Sequence, residues 1–143
     1  MIEEAYVSFE TAKLLKEKGF PQEYDIFHSM VYNEEDYEDE YEVQRMVLET
    51  KLVKAGTLSS YPVGVLDPKC YCPTQQMAMR WLREIHNIVI AIDVCRETGR
   101  EGFYCWQLED SHTGDNIVNI VGECPTYEQA VEAAILYSLK NLI

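Results

Sequence analysis

The sequence predicts an α+β domain of two layers: a three-stranded antiparallel meander over about residues 88–121, flanked by helices over about 75–86 and 127–141. Three observations carry this reading. Side chains alternate from Ile88 to Val94 and again from Tyr104 to Leu108, the period of a strand with one buried face. Capped helical patterns begin after Thr74 and after Thr126. Short polar turns at 97–102 and 111–115 join the strands, and short connections favour antiparallel neighbours. An additional helix is expected over about 9–18.

Each element follows from its residues. Ser8 is placed to cap the first helix, with Glu10 in the first turn where the dipole favours an anion. Gly19 supplies a left-handed stop, Phe20 can fold back on Leu15, and Pro21 prevents resumption. Residues 25–33 are rich in aromatic and β-branched side chains and read as a strand. Residues 34–42 hold seven acids in nine positions, so repulsion argues for a mobile, solvated loop. Val43, Met46 and Val47 fit a helical stripe, so 43–54 is read as helix, with a strand returning against 26–33 as the alternative. Gly56, Pro62, Gly64 and Pro68 make 55–72 a connecting segment, with a short extended piece at Val63–Leu66. In the second helix Met77, Ala78, Trp81, Leu82 and Ile85 share one face, and Asn87 can take the left-handed conformation beyond it. His86, in its last turn, fits a capping role. Strands are expected at 88–96, 103–109 and 116–121. Thr126 with Gln129 forms a capping box, followed by a stripe of Tyr127, Ala130, Val131, Ala134, Ile135 and Leu139.

Composition limits function. The chain has 143 residues, 47% of them hydrophobic, which fits a single domain and excludes disorder over most of its length. Twelve basic against 25 acidic residues leave a net charge of −13, which opposes direct nucleic-acid binding. No apolar run reaches the roughly 20 residues of a membrane span, and the acidic N-terminus is unlike a secretory signal. The expected setting is cytoplasmic. The five cysteines, Cys70, Cys72, Cys95, Cys105 and Cys124, are then read as reduced thiols behaving as small hydrophobes. Cys70 and Cys72 are too close for the usual C-x-x-C knuckle, and His28, His86 and His112 lie on separate segments. The reading assigns no metal ligands, although a zinc site built from distant pieces stays open. No glycine-rich phosphate loop is present, so no cofactor is assigned. A cysteine nucleophile needs a nearby histidine, and only His112 sits in a turn beside the cysteine-bearing strands. No catalytic residue is assigned.

The even side of the first two strands of the meander carries Ile88, Ile90, Ile92, Val94, Tyr104, Trp106 and Leu108, and both flanking helices are expected to pack there. The odd side holds Val89, Ala91, Cys95, Phe103 and Cys105, too apolar for an ordinary solvated face. Parity lets Cys95 face either Cys105 or Phe103. Either the N-terminal helix or the 43–72 segment covers this side, or a homodimer forms across it. Val89, Phe103 and Cys105 are the candidate interaction residues here. Tyr37 and Tyr41 are the candidate apolar anchors of an acidic arm that would engage a basic partner.

Three segments resemble small uncharacterised proteins encoded in phage and prophage regions of gut-type anaerobic bacteria. They are Val7 to Phe20, Pro73-Thr74-Gln75-Gln76 with Trp81-Leu82-Arg83-Glu84, and Thr126-Tyr127-Glu128-Gln129-Ala130. The resemblance implies a small accessory protein of phage type in a bacterial cytoplasm, with no activity attached. Phe103–Val121 followed by the 126–130 segment is also similar to an antitoxin-type domain, in which a β-meander precedes a helix. This chain departs from it in lacking a glycine-rich start to the meander and in having a helix before it. The helix–three strands–helix order is similar to double-stranded-RNA-binding domains too, but the last helix sets only Lys140 beside Glu128 and Glu132.

The functional expectation is a non-enzymatic protein-interaction module with an unknown protein partner. The alternatives are a hydrolase-like enzyme with a site in a cleft beside 55–72, and an acidic mimic competing for a nucleic-acid-binding partner.

Overall fold

The computed structural model describes residues 2–22, 30–37, 47–54, 66–96, 99 and 101–143. In chain order the elements are α1 (Phe9–Glu17), β1 (Met30–Tyr37), β2 (Val47–Lys54), β3 (Leu66–Cys72), α2 (Gln75–His86), β4 (Ile88–Val94), β5 (Tyr104–Asp110), β6 (Asn116–Cys124) and α3 (Tyr127–Asn141). The fold is α+β, with two three-stranded antiparallel sheets ordered β2–β1–β3 and β4–β5–β6.

The helices start and stop where their caps dictate. The hydroxyls of Ser8, Thr74 and Thr126 accept from the backbone N–H of Thr11, Met77 and Gln129 respectively. Helix α1 ends in a Schellman motif: Gly19 sits at φ +96°, its N–H donates to Lys16 O, and the Phe20 N–H donates to Leu15 O at 2.8 Å. Asn87, at φ 59°, closes α2 in the left-handed conformation.

In the meander, Ile90 lies opposite Leu108, Ile92 opposite Trp106 and Val94 opposite Tyr104. Helix α3 packs on all three strands and α2 on β4. Between them Ile88, Ile90, Trp106 and Leu108 are buried with Ala78, Leu82, Ala130, Val131, Ala134, Ile135 and Leu139. Trp106 also meets the Tyr137 ring at 5.4 Å. Four residues assigned to this layer lie outside it, Tyr127 at the start of α3 among them at 39% exposed. Val94, at the far end of β4, is 53% exposed, and Met77 and Ile85 on α2 are 47% and 62% exposed. Helix α2 meets only β4 and α3 among its larger contacts, so a narrow arc of Gln75, Ala78 and Leu82 suffices to bury it. Trp81, beside that arc, joins an aromatic row instead. Phe20 lies 6.1 Å from Tyr71 and 5.4 Å from Trp81, and Trp81 lies 4.6 Å from His86.

The first half of the chain differs most from expectation. Residues 34–37, assigned to an acidic loop, are the second half of β1, the central strand of the β2–β1–β3 sheet. Residues 47–54, assigned to a helix, form β2, with Met30 opposite Lys54 and Tyr37 opposite Val47. This is the returning strand held as the alternative, paired with the described residues 30–37. The end of the connecting segment is β3, antiparallel to β1 with a bulge between Tyr32 and Asn33. Pro68 falls on this edge strand, where a missing backbone donor is tolerated. The remaining parts of these expectations, at 25–29, 38–46 and 55–65, lie outside the described residues.

The N-terminal segment is stitched to the start of α2. Val7 N donates to Pro73 O, Gln75 N donates to Ala5 O, and Tyr6 forms an antiparallel bridge with Thr74. Helix α1 then packs on α3 and β3, burying Ala12 and Leu15. One carboxylate ties three helices together. Glu132 of α3 accepts from Ser8 N at 2.9 Å and from the buried Thr11 hydroxyl, and its second oxygen accepts from Gln75 Nε2 at 3.4 Å. Gln75 Nε2 also donates to Glu128 O at 2.9 Å.

Replacing Trp106 with Ala should cost about 3–5 kcal/mol, the usual range for emptying a large aromatic site in a core. Replacing Glu132 with Ala should cost about 2–3 kcal/mol, because hydrogen bonds to a charged group are lost and the buried Thr11 hydroxyl keeps only Ser8 Oγ, 3.1 Å away. Urea melts of the two variants check both values.

Candidate functional site

The odd side of the β4–β5–β6 sheet is the candidate site. Backbone alternation places Val89, Ala91, Asp93, Phe103, Cys105, Gln107 and Glu109 there, since the even side faces the helices. Helices α2 and α3 occupy the even side, α1 lies against α3 and β3, and no described element is laid across the odd side. The expected cover by α1 or by the described part of 43–72 is therefore not found: β2 and β3 are committed to a separate sheet with β1. Val89, Phe103 and Cys105, the candidate residues of this face, are half-buried on it. Tyr37 is not brought to them; it ends β1 in the other sheet. Tyr41 lies outside the described residues.

Cys95 and Cys105 form a disulfide across this face. Cys95 N donates to Phe103 O at 2.8 Å, which sets Cys95 opposite Phe103, while Cys105 lies opposite Asp93. The two cysteines are thus diagonal neighbours on one face, with Cα atoms 5.8 Å apart, inside the range a disulfide spans. This corrects the expectation of five reduced thiols. Cys70, Cys72 and Cys124 remain thiols, Cys70 and Cys72 in the core and Cys124 half-buried opposite Tyr104 on the helix-facing side. Burial pushes the Cys70 thiol up, against the pull of Lys16 and Lys13, so it stays protonated. The Cys72 sulfur lies 3.4 Å from Val7 O.

The disulfide lines an open depression of about 490 Å³. Asp93, Arg96, Gly122 and Glu123 share that lining. Asp93 accepts from Val94 N at 2.9 Å, and Arg96 reaches Asp93 Oδ2 at 3.7 Å, an exposed contact of little energetic weight. Gly122 has φ +98°, and a Cβ there would meet Trp106 Nε1 at 3.3 Å, so its backbone lies close against the indole. Toward the other end of the face, Gln107 Nε2 donates to Glu109 at 2.9 Å.

Sequence reasoning placed the two cysteines on one face and left their pairing open. Alternation puts Asp93 on this side, while Arg96, Gly122 and Glu123 were missed as lining residues. A glycine interrupting an alternating strand was the available signal for the irregular stretch around Gly122.

The histidines are not brought to the disulfide. His112 lies in the turn after β5, at the opposite end of that strand from Cys105, and its N–H donates to Asp110 at 2.8 Å. The Thr113 backbone N–H, which donates to the same oxygen at 3.0 Å, and then the His112 backbone N–H hold the Asp110 carboxyl below its ordinary value. His86 packs edge-on against Trp81, and its Nε2 is buried with no partner among the described residues. The backbone cap after α2 is supplied by Asn87 rather than by His86. His28 lies outside the described residues. Among the described residues no three His, Cys, Asp or Glu side chains cluster to hold a metal ion, and no helix is long and apolar enough to cross a membrane.

Comparison of the chain with family models, curated proteins and solved structures yields no match.

The disulfide closes a loop of ten residues in sequence, so its removal should lower stability by about 3 kcal/mol through the unfolded chain's added freedom. Urea melts of the Cys95→Ser/Cys105→Ser double variant, compared with the oxidised protein, read this directly. A far larger loss would mean that the β4–β5 pairing itself depends on the bond.

Proposed function

We propose that the protein is a small acidic, non-enzymatic interaction module of phage-accessory type, acting in a bacterial cytoplasm. It docks a basic protein through the open side of the β4–β5–β6 sheet. The observation that carries this reading is a sheet face bearing Val89 and Phe103 with no described element across it. A half-apolar sheet side of this kind is better suited to a partner than to bulk water. The partner's basic character is inferred from charge. Asp93 and Glu109 stand on the same face, and the whole chain carries −13, which attracts cationic surfaces and repels anionic ones. The same charge works against nucleic acid as a direct ligand. It also works against a second copy of the chain, which would set like carboxylates facing one another.

The test pairs capture with sedimentation. Wild type and Phe103→Glu are each immobilised and exposed to lysate of a gut-type anaerobic bacterium, and their oligomeric states are measured in parallel. The expected result is a monomer in both cases, with a basic protein retained by wild type and lost from Phe103→Glu at unchanged melting temperature. Equal retention by the two would remove this face from the interaction. A dimer broken by Phe103→Glu would replace the basic partner with a homodimer across the same side.

A further inference from the structure

We propose that Cys95 and Cys105 form a thiol–disulfide exchange site, and that the co-substrate it takes is a dithiol. This stands apart from the docking reading, since it rests on the disulfide and its surroundings and needs no protein partner.

Placement is the first argument. The bond lines an open depression on the side of the sheet that no described element covers, and both cysteines are only half-buried, so a small thiol can reach the sulfurs with the fold intact. The second argument is dispensability. Strands β4 and β5 are already paired from Ile88–Asp110 to Val94–Tyr104, and their opposite side is held by the buried layer under α2 and α3. Opening the disulfide breaks no ladder bond and uncovers no core residue. The third is isolation. Cys70 and Cys72 are buried away from this face, and Cys124 points to the helix side, so the reduced pair has no competing thiol beside it.

The chemistry balances with one dithiol. A thiolate of the dithiol attacks Cys105 Sγ, a new S–S bond forms, and the Cys95–Cys105 bond breaks. Cys95 Sγ departs with the electron pair as a thiolate. The dithiol's second thiolate then attacks its own sulfur in the mixed disulfide and releases Cys105. Two electrons pass to the protein, the dithiol's two protons end on the two cysteines, and the dithiol leaves as a cyclic or intramolecular disulfide. Charge biases the direction of cleavage. Arg96 follows Cys95 in the chain, lines the depression and lies 3.7 Å from Asp93, so on the Cys95 side it offsets that carboxylate and favours negative charge on the Cys95 sulfur. Cys105 lies directly opposite Asp93, whose carboxylate disfavours it there.

The test uses full-length protein oxidised with glutathione disulfide and then treated with dithiothreitol in native buffer. Reduction is followed by mass spectrometry and folding by circular dichroism. The Cys95–Cys105 bond should open at a rate within about tenfold of that of glutathione disulfide itself, with the folded spectrum retained, because access rather than unfolding controls exchange. Oxidised glutathione should re-form the bond. In the reduced protein, iodoacetamide near neutral pH should label Cys95 several-fold faster than Cys105. Arg96→Gln should shrink that difference and Arg96→Lys should preserve it, which a purely structural staple would not show. Reduction that proceeds only as the protein unfolds overturns the proposal, and so does equal labelling of the two cysteines in the wild-type protein.

Discussion

Helix α3 is wedged between the β4–β5–β6 sheet and α1, and that double burial is the constraint the rest of the structure depends on. Ala130, Val131, Ala134, Ile135 and Leu139 are fully buried, a wider arc than one packing surface requires. Small side chains at 130 and 134 let the helix approach closely, and Ser138, buried at the same level, satisfies its hydroxyl on Ala134 O at 2.8 Å. The start of α1 brings the buried Thr11 hydroxyl and the exposed Ser8 N–H to this junction, both in need of an acceptor. Glu132 resolves this by accepting from Ser8 N and the Thr11 hydroxyl. The same carboxylate reaches Gln75 near the start of α2, so three helix beginnings meet at one acid. Charge at this point works as internal wiring rather than as surface decoration.

The parts of the fold legible in the sequence are those where several local signals agree. Helices α1, α2 and α3 each carry a cap residue, α1 and α2 carry a stop as well, and the first two strands of the meander alternate cleanly, so composition and period point the same way. The first half of the chain offered no such agreement. Val43, Met46 and Val47 matched a helical stripe, yet residues 47–54 pair along the whole of β1. Short apolar runs fit both periods, and only the partner strand decides between them. The acids at 34–36 argued for a solvated loop, but a strand ladder is built from backbone groups. Its register sets Glu34 opposite Thr50 and Asn33 opposite Lys51.

The candidate site was legible in parity and not in pairing. Alternation correctly placed Val89, Phe103 and Cys105 on one side, because the period of a strand is fixed once its other side is buried. Whether Cys95 met Cys105 or Phe103 depended on turn geometry between 96 and 103, which residue type alone does not determine. The answer is that it does both: it exchanges a backbone bond with Phe103 and bonds diagonally to Cys105. The lining by Gly122 and Glu123 comes from an irregular stretch of β5–β6 pairing between Tyr104 and Trp106, a feature that strict alternation cannot anticipate.

The stitching of residues 5–7 to 73–75, together with the contacts of α1, bears on synthesis at the ribosome. Helix α1 precedes α3 in the chain, yet its polar anchor is Glu132, and Lys18 just beyond it donates to the carbonyl of Ile143 at 2.7 Å. A nine-residue helix is too short to persist alone in water. Strand β3 offers it a first surface, but its second face and its polar anchor wait until α3, more than a hundred residues later, is complete. A helix translated well before α3 is thus completed only with it, and its apolar stripe at Ala12 and Leu15 becomes a natural target for holding factors until then.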